Sequence, residues 1–343
     1  MKKRIIYSAT ALCLIILSPG CSKDNTSNGK QWHDLGSSDV GYSIVTLCSD
    51  PAGNIYAASF IDENGQYFVA KWNGTTWGKV GNLTSKYCIY HLCSDLSGNI
   101  YASGIVDNTE TYNYVAKWDG TSWTDLGLHS SFTWDIKSVT DKNGNLFGTS
   151  FNGRGEDVFA YAGGNSWSNL GSIDPNKSIN SICSDGNGKV YEMLYGGTLY
   201  APVIAVHQND VWEELPSLTT NTDNDISASC TDASGNLYVA GHLYDNTTKK
   251  FYAGKWDGNN WTKLPLSGTV QCMCVDPQGN LYVAGSISFG TGFDVAKWDG
   301  SKWVGLGLGS KISNPAICSD PTGAIYVKGT FNTNYINLIR VYK

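Results

Sequence analysis

A seven-fold internal repeat constrains the fold of this chain more than any other sequence feature. An aspartate followed three residues later by glycine and six residues later by an aromatic residue occurs at Asp50, Asp95, Asp141, Asp185, Asp232, Asp276 and Asp320. Successive copies are 45, 46, 44, 47, 44 and 44 residues apart. Self-similarity at a fixed period of this length indicates a solenoid, a propeller or another repeat array.

A tryptophan motif follows each of the first six aspartates. Its first copy reads V-A-K-W-N-G-T-T-W and ends at Trp77, and the closing tryptophan aligns without gaps in five further copies, at Trp123, Trp167, Trp212, Trp261 and Trp303. The leading tryptophan of the motif is kept at Trp72, Trp118, Trp256 and Trp298. Ala162 and His207 occupy the leading position in the third and fourth copies.

One repeat is predicted to contain four short strands. Strand A covers residues 44–49, strand B 55–59, strand C 67–72 and strand D 77–81. The aspartate can accept backbone N–H groups in the A–B turn, glycine supplies the positive φ there, and the Asn-Gly and Asp-Gly pairs indicate C–D hairpin turns. Four antiparallel strands in about 45 residues form one propeller blade. The sequence therefore predicts an all-β, seven-bladed β-propeller.

The two ends of the chain complete one blade. The seventh copy stops at Lys343, where its unit would enter the C–D turn, and residues 28–36 match the strand D segment 119–127 in spacing. We therefore expect the N-terminal strand to close the last blade, which leaves no unpaired edge. The predicted propeller spans 28–343, with repeats near 42–81, 87–127, 134–171, 178–216, 225–265, 269–307 and 313–343 plus 28–36.

The repeat motifs can be compared with a known group of proteins. D-x-x-G-N-[IL]-Y followed by V-A-K-W-[DN]-G-x-x-W-x-x-L-G resembles the bacterial extracellular β-propeller repeats, within the sensor-type and Kelch-like propeller group. The resemblance covers residues 28–343. It implies the fold and says nothing specific about activity, because propellers host many unrelated functions.

The first 20 residues have the features of an export signal. Residues 2–4 are basic, and residues 5–17 form an apolar run that is shorter than a membrane-spanning helix requires. The run leads into Leu17-Ser18-Pro19-Gly20-Cys21, which resembles the lipobox of bacterial lipoproteins. This resemblance implies acylation of Cys21, a polar tether over 21–27, and an outer-membrane lipoprotein exposed at the bacterial cell envelope. The alternative is an ordinary secretory signal with a chance cysteine.

Charge limits the classes of partner. Without the three bases of the leader, 21 basic residues face 30 acidic ones, a net charge of −9. A negative protein disfavours nucleic-acid backbones and anionic membrane surfaces as partners. We therefore expect no nucleic-acid binding, a membrane association through the lipid alone, and a monomeric propeller.

The cysteines invite disulfide and metal interpretations. Six of the ten stand two residues before a repeat aspartate: Cys48, Cys93, Cys183, Cys230, Cys274 and Cys318. Because cysteine is small and readily buried, we interpret these six as free thiols packed between blades. Strand alternation puts Cys272 and Cys274 on one face without forming a metal pair, and the repeat aspartates are interpreted as turn residues instead of calcium ligands. We expect no metal, no cofactor and no catalytic residue, although glycosidase-type carboxylates from different blades stay open.

The ligand site is predicted on the face formed by the B–C and D–A loops, which differ in every copy while the A–B and C–D turns repeat. Variable loops on a rigid scaffold are where function usually lies. Seven residues before each repeat aspartate, positions expected to ring the channel opening carry Ser43, Cys88, Trp134, Ser178, Asp225, Thr269 and Ser313. Trp134 is the one large residue among them, which suits stacking on a sugar or anchoring a partner. The alternative is that Trp134 covers the third blade, where Ala162 replaces a tryptophan.

These observations lead to one functional hypothesis and two alternatives. The candidate ligand-binding residues are Trp134, Asp225, Tyr112, His242 and Tyr244. The leading hypothesis is a non-catalytic binding module for a glycan, a peptide or an envelope protein. The alternatives are a propeller enzyme acting on polysaccharide, as a glycosidase or lyase, and a structural or assembly component of an outer-membrane complex. Converging carboxylates at the loop face would favour the enzyme, and an aromatic shelf with few acids would favour the binding module.

Overall fold

The computed structural model describes residues 29–37, 44–106, 113–129, 136–197, 200–288, 295–308, 312–331 and 336–343. Four residues for which the sequence makes predictions, Cys21, Ser43, Tyr112 and Trp134, lie outside these ranges. Within the ranges the regular structure consists of 29 β-strands in seven sheets, without a helix. No helix in these described ranges has the length and hydropathy that crossing a membrane requires. We number the blades 1 to 7 in the order of the seven repeat aspartates.

The first strand, β1 (Trp32–Ser37), belongs to blade 7. Blades 1 to 3 contain, in order, β2 (Thr46–Ser49), β3 (Ile55–Ile61), β4 (Tyr67–Trp72) and β5 (Trp77–Lys79); β6 (His91–Ser94), β7 (Ile100–Val106), β8 (Asn113–Trp118) and β9 (Trp123–Asp125); β10 (Ser138–Thr140), β11 (Leu146–Phe151), β12 (Glu156–Gly163) and β13 (Ser166–Gly171).

Blades 4 to 7 contain, in order, β14 (Ile179–Ser184), β15 (Val190–Leu194), β16 (Val203–Gln208) and β17 (Val211–Glu214); β18 (Asp225–Thr231), β19 (Leu237–His242), β20 (Tyr244–Asp245), β21 (Lys250–Trp256) and β22 (Trp261–Leu266); β23 (Gly268–Val275), β24 (Leu281–Ile287), β25 (Val295–Trp298) and β26 (Trp303–Gly305); β27 (Ile312–Ser319), β28 (Ile325–Phe331) and β29 (Ile336–Tyr342). Blade 5 has a fifth, two-residue strand because β20 pairs with β21 inside the B–C connection.

The sheets form a closed ring of seven antiparallel blades. Each sheet runs A-B-C-D from the channel outwards, and strand A of every blade contacts strand A of both neighbouring blades. The last sheet has the order β1-β29-β28-β27, with Trp32 opposite Tyr342 as Trp72 stands opposite Trp77. The predicted propeller and its closure by the N-terminal strand are therefore confirmed.

Apolar side chains are buried mainly between neighbouring blades. A typical cluster joins Tyr56 and Val69 of blade 1 to Ile89 and Ile100 of blade 2. The repeat cysteines lie in the same layers, and the eight described cysteines are all free. Burial raises the pKa of the Cys93 and Cys183 thiols to about 12, so both are neutral packing groups at physiological pH.

The A–B turns follow one pattern in all blades. The glycine three residues after each aspartate has a φ between 81° and 85°, a backbone conformation that side chains other than glycine disfavour. One oxygen of the Asp95 carboxylate accepts the N–H groups of Ser97 and Asn99, and the other accepts the Asn99 amide and the Tyr101 hydroxyl. The turn interpretation of the repeat aspartates agrees with this geometry.

Hydroxyl groups link the A strands around the channel. The residue before each repeat aspartate is Ser or Thr in six blades, and its hydroxyl donates to the backbone carbonyl of the equivalent residue in the preceding blade at 2.6 to 3.1 Å, from Ser49, Ser94, Thr140, Ser184, Thr231 and Ser319. We call this set the hydroxyl ring. Blade 6 has Val275 at this position and supplies no hydroxyl.

Indole groups form a second set of links at the rim. The strand D tryptophan donates its Nε1–H to a carbonyl at the end of strand D in the preceding blade at 2.7 to 3.2 Å, from Trp32, Trp77, Trp123, Trp167, Trp212 and Trp261. We call these the indole bonds. Trp303 is the exception among the described tryptophans, because its buried Nε1–H has no acceptor.

Blade 3 corrects one detail of the gapless alignment. Tyr161, and not Ala162, stands opposite Trp167, with ring centroids 5.2 Å apart. The register shifts between Tyr161 and Gly163, so the C–D turn of this blade holds one residue more than the alignment allowed. Blade 3 therefore has an aromatic partner for its strand D tryptophan, which removes the packing reason for Trp134 to cover this blade. His207 does face Trp212 in blade 4, as expected.

Candidate functional site

The two ends of the central channel are chemically different, and at the A–B turn end the described repeat aspartates are all engaged in holding their own turns. A cavity of about 540 Å³ there is lined by hydroxyl-ring residues and repeat aspartates. The aspartates are almost fully buried and bind their own turns. Within the described ranges, no group of three or more His, Cys, Asp or Glu side chains is arranged to hold a metal ion. This end of the channel is scaffold.

The loop end begins where the A strands start. Asp225 is the first residue of β18, Thr269 and Ser313 are the second residues of β23 and β27, and Ser178 directly precedes β14. Cys88 lies three residues before β6. The positions expected to ring the opening are thus at or near the start of strand A wherever the structure describes them, and Asp225 is the one that carries a charge.

A β-bulge or register irregularity near the start of strand A interrupts the A–B ladder in blades 4 to 7. The register of the A–B pair shifts around Asn180, Ser227 and Gln271. A bulge leaves one residue outside the ladder and redirects its side chain. The Asn180 amide reaches across the blade boundary and donates to an oxygen of Asp225 at 2.7 Å. Asn180 is thus a site residue that was not predicted from the sequence.

A glycine inside strand B was a sequence signal for the bulges in blades 5 and 6, whereas blade 4 has Leu194 at the same position. Gly241 and Gly285 stand nine residues after their repeat aspartates. A Cβ atom on Gly241 would lie 2.2 Å from the Asp225 carbonyl oxygen, and one on Gly285 would lie 2.4 Å from the Thr269 carbonyl oxygen. Glycine within a strand often marks a bulge or a close backbone approach. These glycines are visible in the sequence, but the sequence does not show which strand A residue each of them faces.

Asp225 combines a carboxylate with partial burial. Burial raises its pKa, against the opposing effects of the Ile226 backbone N–H, the Asn180 amide and nearby His242. His242 is the direct cross-strand partner of Asp225 and is itself exposed. A carboxylate with a single side-chain partner beside an exposed imidazole can accept hydrogen bonds from ligand hydroxyls and can exchange protons.

Aromatic rings continue from His242 along the top of blade 5. The His242 ring meets Phe251 edge to face with centroids 5.3 Å apart, and Tyr244 meets the same Phe251 at 5.1 Å. We call Asp225, His242, Tyr244 and Phe251, together with Asn180, the blade-5 loop edge. The structure thus brings together three of the five predicted site residues. Tyr112 and Trp134, the other two, lie outside the described residues.

Two buried glutamates hold the D–A connection between blades 3 and 4. Glu156 accepts the Ile179 N–H at 2.7 Å, and Glu192 accepts the Ile173 N–H at 2.7 Å and the Ser172 hydroxyl at 3.1 Å. Burial raises the pKa of Glu192 to about 7, and its second oxygen is buried with no hydrogen-bond partner in the part of the chain that the structure describes. Alanine, glycine or valine occupies this position in the other blades, so sequence comparison between repeats could have identified Glu192.

Comparison with known proteins supports the fold and leaves the activity open. No protein-family model matches the chain, and no curated protein matches it. Among solved structures it is similar to virginiamycin B lyase from Staphylococcus aureus, with a TM-score of 0.67 and 9% identity over 92% of this chain and 99% of that one. A streptogramin B lyase gives a TM-score of 0.66 and 10% identity over 92% and 98% of the two chains.

A third similar structure comes from another class of enzyme. The GH74 xyloglucanase from Xanthomonas campestris gives a TM-score of 0.58 and 13% identity, covering 83% of this chain and 50% of that one. Identities this low show a shared fold alone. The chain is a seven-bladed β-propeller repeat protein whose structural neighbours include lyases and a glycosidase.

Proposed function

We propose that the protein is a non-catalytic binding module that recognises a carbohydrate at the blade-5 loop edge and is held on the bacterial envelope by a lipid on Cys21. The observation that carries the proposal is the row formed by Asp225, His242, Phe251 and Tyr244 at the loop end of blade 5. One half-buried carboxylate with an amide partner can accept sugar hydroxyls, and aromatic rings can pack against the C–H face of a sugar.

The small number of acids favours binding over hydrolysis. Glycosidases usually employ a pair of carboxyl groups about 5 to 10 Å apart. The blade-5 loop edge contains one carboxylate, Asp225, with His242 beside it. An aromatic shelf with few acids is the arrangement that the sequence analysis associated with a binding module.

An enzyme is the second candidate, and a specific observation favours it. Asp225 has a raised pKa, and His242 lies directly opposite. A carboxyl group and an imidazole in contact distance of one ligand can act as general acid and base. Lyases and a xyloglucanase among the structural neighbours make such activity worth testing, although low identity carries no activity to this chain.

A screen of the soluble fragment 22–343 tests both candidates. We expect glycan-array binding by the wild type, loss of that binding in Asp225→Asn and in His242→Ala, and no released sugar in a reducing-end assay. The matched control is Asp223→Asn, since Asp223 is exposed and lies two residues before Asp225. Binding that survives Asp225→Asn, or the absence of any bound glycan, would contradict the proposed function. Release of product that requires Asp225 would replace it with the enzyme.

The lipid anchor has an independent test. Expressed in a bacterium, the full chain is expected to fractionate with membranes and to gain the mass of acyl chains, and Cys21→Ala is expected to do neither. Identical fractionation of the two proteins would contradict the lipoprotein assignment, which rests on the sequence 17–21.

A further inference from the structure

The junction between blades 5 and 6 differs from the other junctions at the rim. Six strand D tryptophans form the indole bond to the preceding blade, whereas Trp303, only 7% exposed, has a buried Nε1–H with no acceptor among the described residues. An unpaired buried donor costs free energy, on the order of 1–3 kcal/mol. The fold therefore carries an unmet hydrogen-bonding capacity at this junction.

The path of strand D in blade 5 explains the missing bond. In blade 1 the acceptor of the indole bond is the carbonyl of Val80, and the next residue, Gly81, has a φ of 58°. In blade 2 the residue after the acceptor is Gly127, with a φ of 78°. Blade 5 has Pro265 at this place, and proline fixes φ near −65°. Strand D consequently stays paired with strand C through Pro265 and Leu266. Blade 4 also has a proline there, but its strand D ends earlier and the Pro216 carbonyl accepts Trp261.

A crevice of about 650 Å³ lies at this junction. Its aromatic lining comes from both blades, with Tyr244 and Phe251 on one side and Trp298 and Trp303 on the other. The rings of Trp298 and Trp303 pack together with centroids 5.3 Å apart. We call this space the blade 5–6 crevice. Aromatic walls of this kind suit the apolar faces of sugar rings.

Lysine side chains line the same crevice. Lys249, Lys250 and Lys302 are exposed and form no ion pair within the part of the chain that the structure describes. Some exposed lysines of the chain do form ion pairs, as Lys79 does with Asp62 and Lys263 with Asp245, but none of the three that line the crevice does so within the described residues. The nearby Asp299 carboxylate accepts the backbone N–H groups of its own C–D turn. The charge of Lys302 also helps to lower the pKa of Asp299. Three exposed lysines around one crevice, with Asp299 as a neighbouring carboxylate, can attract an anion to a protein of negative net charge.

We propose that the blade 5–6 crevice binds an acidic carbohydrate, an oligosaccharide that carries uronic-acid carboxylates. The aromatic walls accommodate the sugar rings, and the three lysines pair with the carboxylates. A uronic-acid sugar has an apolar ring face and a carboxylate on the same residue, which matches aromatic walls and lysines that lie side by side. An acidic peptide carries its carboxylates on side chains that have no flat apolar face. The crevice shares Tyr244 and Phe251 with the blade-5 loop edge and is otherwise separate from it. Its lysines favour negatively charged sugars, whereas the loop edge has a carboxylate, Asp225, that accepts hydrogen bonds from neutral hydroxyl groups.

Calorimetry with defined probes tests the proposal. We expect the soluble fragment 22–343 to bind a galacturonic acid hexamer, to bind its methyl-esterified neutral counterpart at least tenfold more weakly, and to lose affinity as salt is raised. The double variant Lys250→Ala/Lys302→Ala should bind the acidic hexamer at least tenfold more weakly with an unchanged melting temperature. Lys86→Ala is the matched control, since Lys86 is an exposed lysine on the D–A connection between blades 1 and 2.

Three results would overturn the proposal: no binding of the acidic hexamer, equal binding by the double variant, or equal binding of hexaglutamate, which would assign the crevice to an acidic peptide. Asp225→Asn tests binding at the loop edge, and Lys250→Ala/Lys302→Ala tests binding in the crevice. A wrong proposal for one site is therefore distinguishable from a wrong proposal for the other. Trp303→Phe adds a structural check. It should leave the melting temperature unchanged, whereas Trp123→Phe, which removes an existing indole bond, should lower it.

Discussion

The two ends of the central channel are built from the same seven strands and have opposite chemical character. At the A–B turns, buried aspartates use their oxygens to hold their own turns, and six hydroxyls link one blade to the next. At the loop end, Asp225 has one side-chain partner from another blade, and the residues around it differ from blade to blade. Repetition marks the scaffold, and departure from the repeat marks the places that can bind.

Removal of the closing strand is expected to have the largest effect, because both channel ends depend on a closed ring. A chain that begins at residue 38 lacks β1 and with it the packing of Trp32 on Tyr342 and the ion pair between Asp34 and Arg340. It also exposes the edge of β29, which favours aggregation. We expect aggregation in size-exclusion chromatography or a large fall in melting temperature. A chain that begins at residue 28 is the control, and equal behaviour of the two would refute the closure.

The turn end should lose stability in proportion to the hydrogen bonds of each aspartate. Asp95 accepts four, from Ser97, Asn99 and Tyr101, whereas Asp185 accepts two backbone bonds, from Asn187 and Lys189. A hydrogen bond to a charged group contributes about 1.5–3 kcal/mol net, and water can replace part of what the groups around Asp95 lose in the alanine variant. We expect Asp95→Ala to lower the free energy of unfolding by about 3 kcal/mol and Asp185→Ala by about half as much in urea titrations. Equal losses would show that the bond count does not govern turn stability.

Glu192 gives a pH-dependent contrast with the fully bonded aspartates. Burial raises its pKa from the usual 4.5 to about 7, so the folded protein holds the proton more tightly than the unfolded chain. The contribution of protonated Glu192 to the free energy of unfolding is therefore full below about pH 4.5. It is lost as the pH rises to about 7, which lowers the free energy of unfolding by about 3 kcal/mol. Glu192→Gln should flatten this part of the stability profile and be more stable than wild type at pH 8. A parallel profile for the two proteins would contradict this role.

The smallest expected change in stability concerns blade 6, where Val275 interrupts the hydroxyl ring. Val275→Thr supplies the hydroxyl that the six equivalent positions in the other blades already have as a hydrogen-bonded Ser or Thr. The new hydroxyl is expected to donate to the Thr231 carbonyl. We expect a gain of about 1 kcal/mol in the free energy of unfolding, and Ser94→Ala, which removes an existing bond, should cause a loss of similar size. A destabilised Val275→Thr would mean that apolar packing matters more than the hydroxyl at this position.

The fold could be predicted almost completely because its physical causes recur seven times in the sequence. The period gave the number of blades, and Trp32 in its sequence context identified the closing strand. Blade 3 was the exception. A longer C–D turn moved Tyr161 opposite Trp167, and a gapless alignment cannot detect one additional residue when the flanking Gly163 and Gly164 have no distinctive side chain.

The candidate site could be predicted only in part, because it depends on contacts between blades. Asp225, His242 and Tyr244 were identified as individual residues in variable loops, and register then placed the first two opposite each other. Asn180 was missed because a bulge directs its amide to Asp225, and blade 4 has Leu194 where blades 5 and 6 have a glycine that signals the bulge. The unpaired indole N–H of Trp303 was missed for a similar reason, because in the other junctions the acceptor comes from the preceding blade and cannot be identified from strand D alone.

The same substitution at the two ends of the channel tests the central claim most directly. Asp225→Asn and Asp95→Asn each replace one carboxylate by an amide, one at the loop end and one at the A–B turns. With the fragment 22–343 on a glycan array and in thermal melts, we predict that Asp225→Asn loses the glycans bound by the wild type and keeps its melting temperature. Asp95→Asn should keep those glycans and melt at a lower temperature. Unchanged glycan binding by Asp225→Asn, together with its loss in a still folded Asp95→Asn, would place the site at the opposite end and contradict the account.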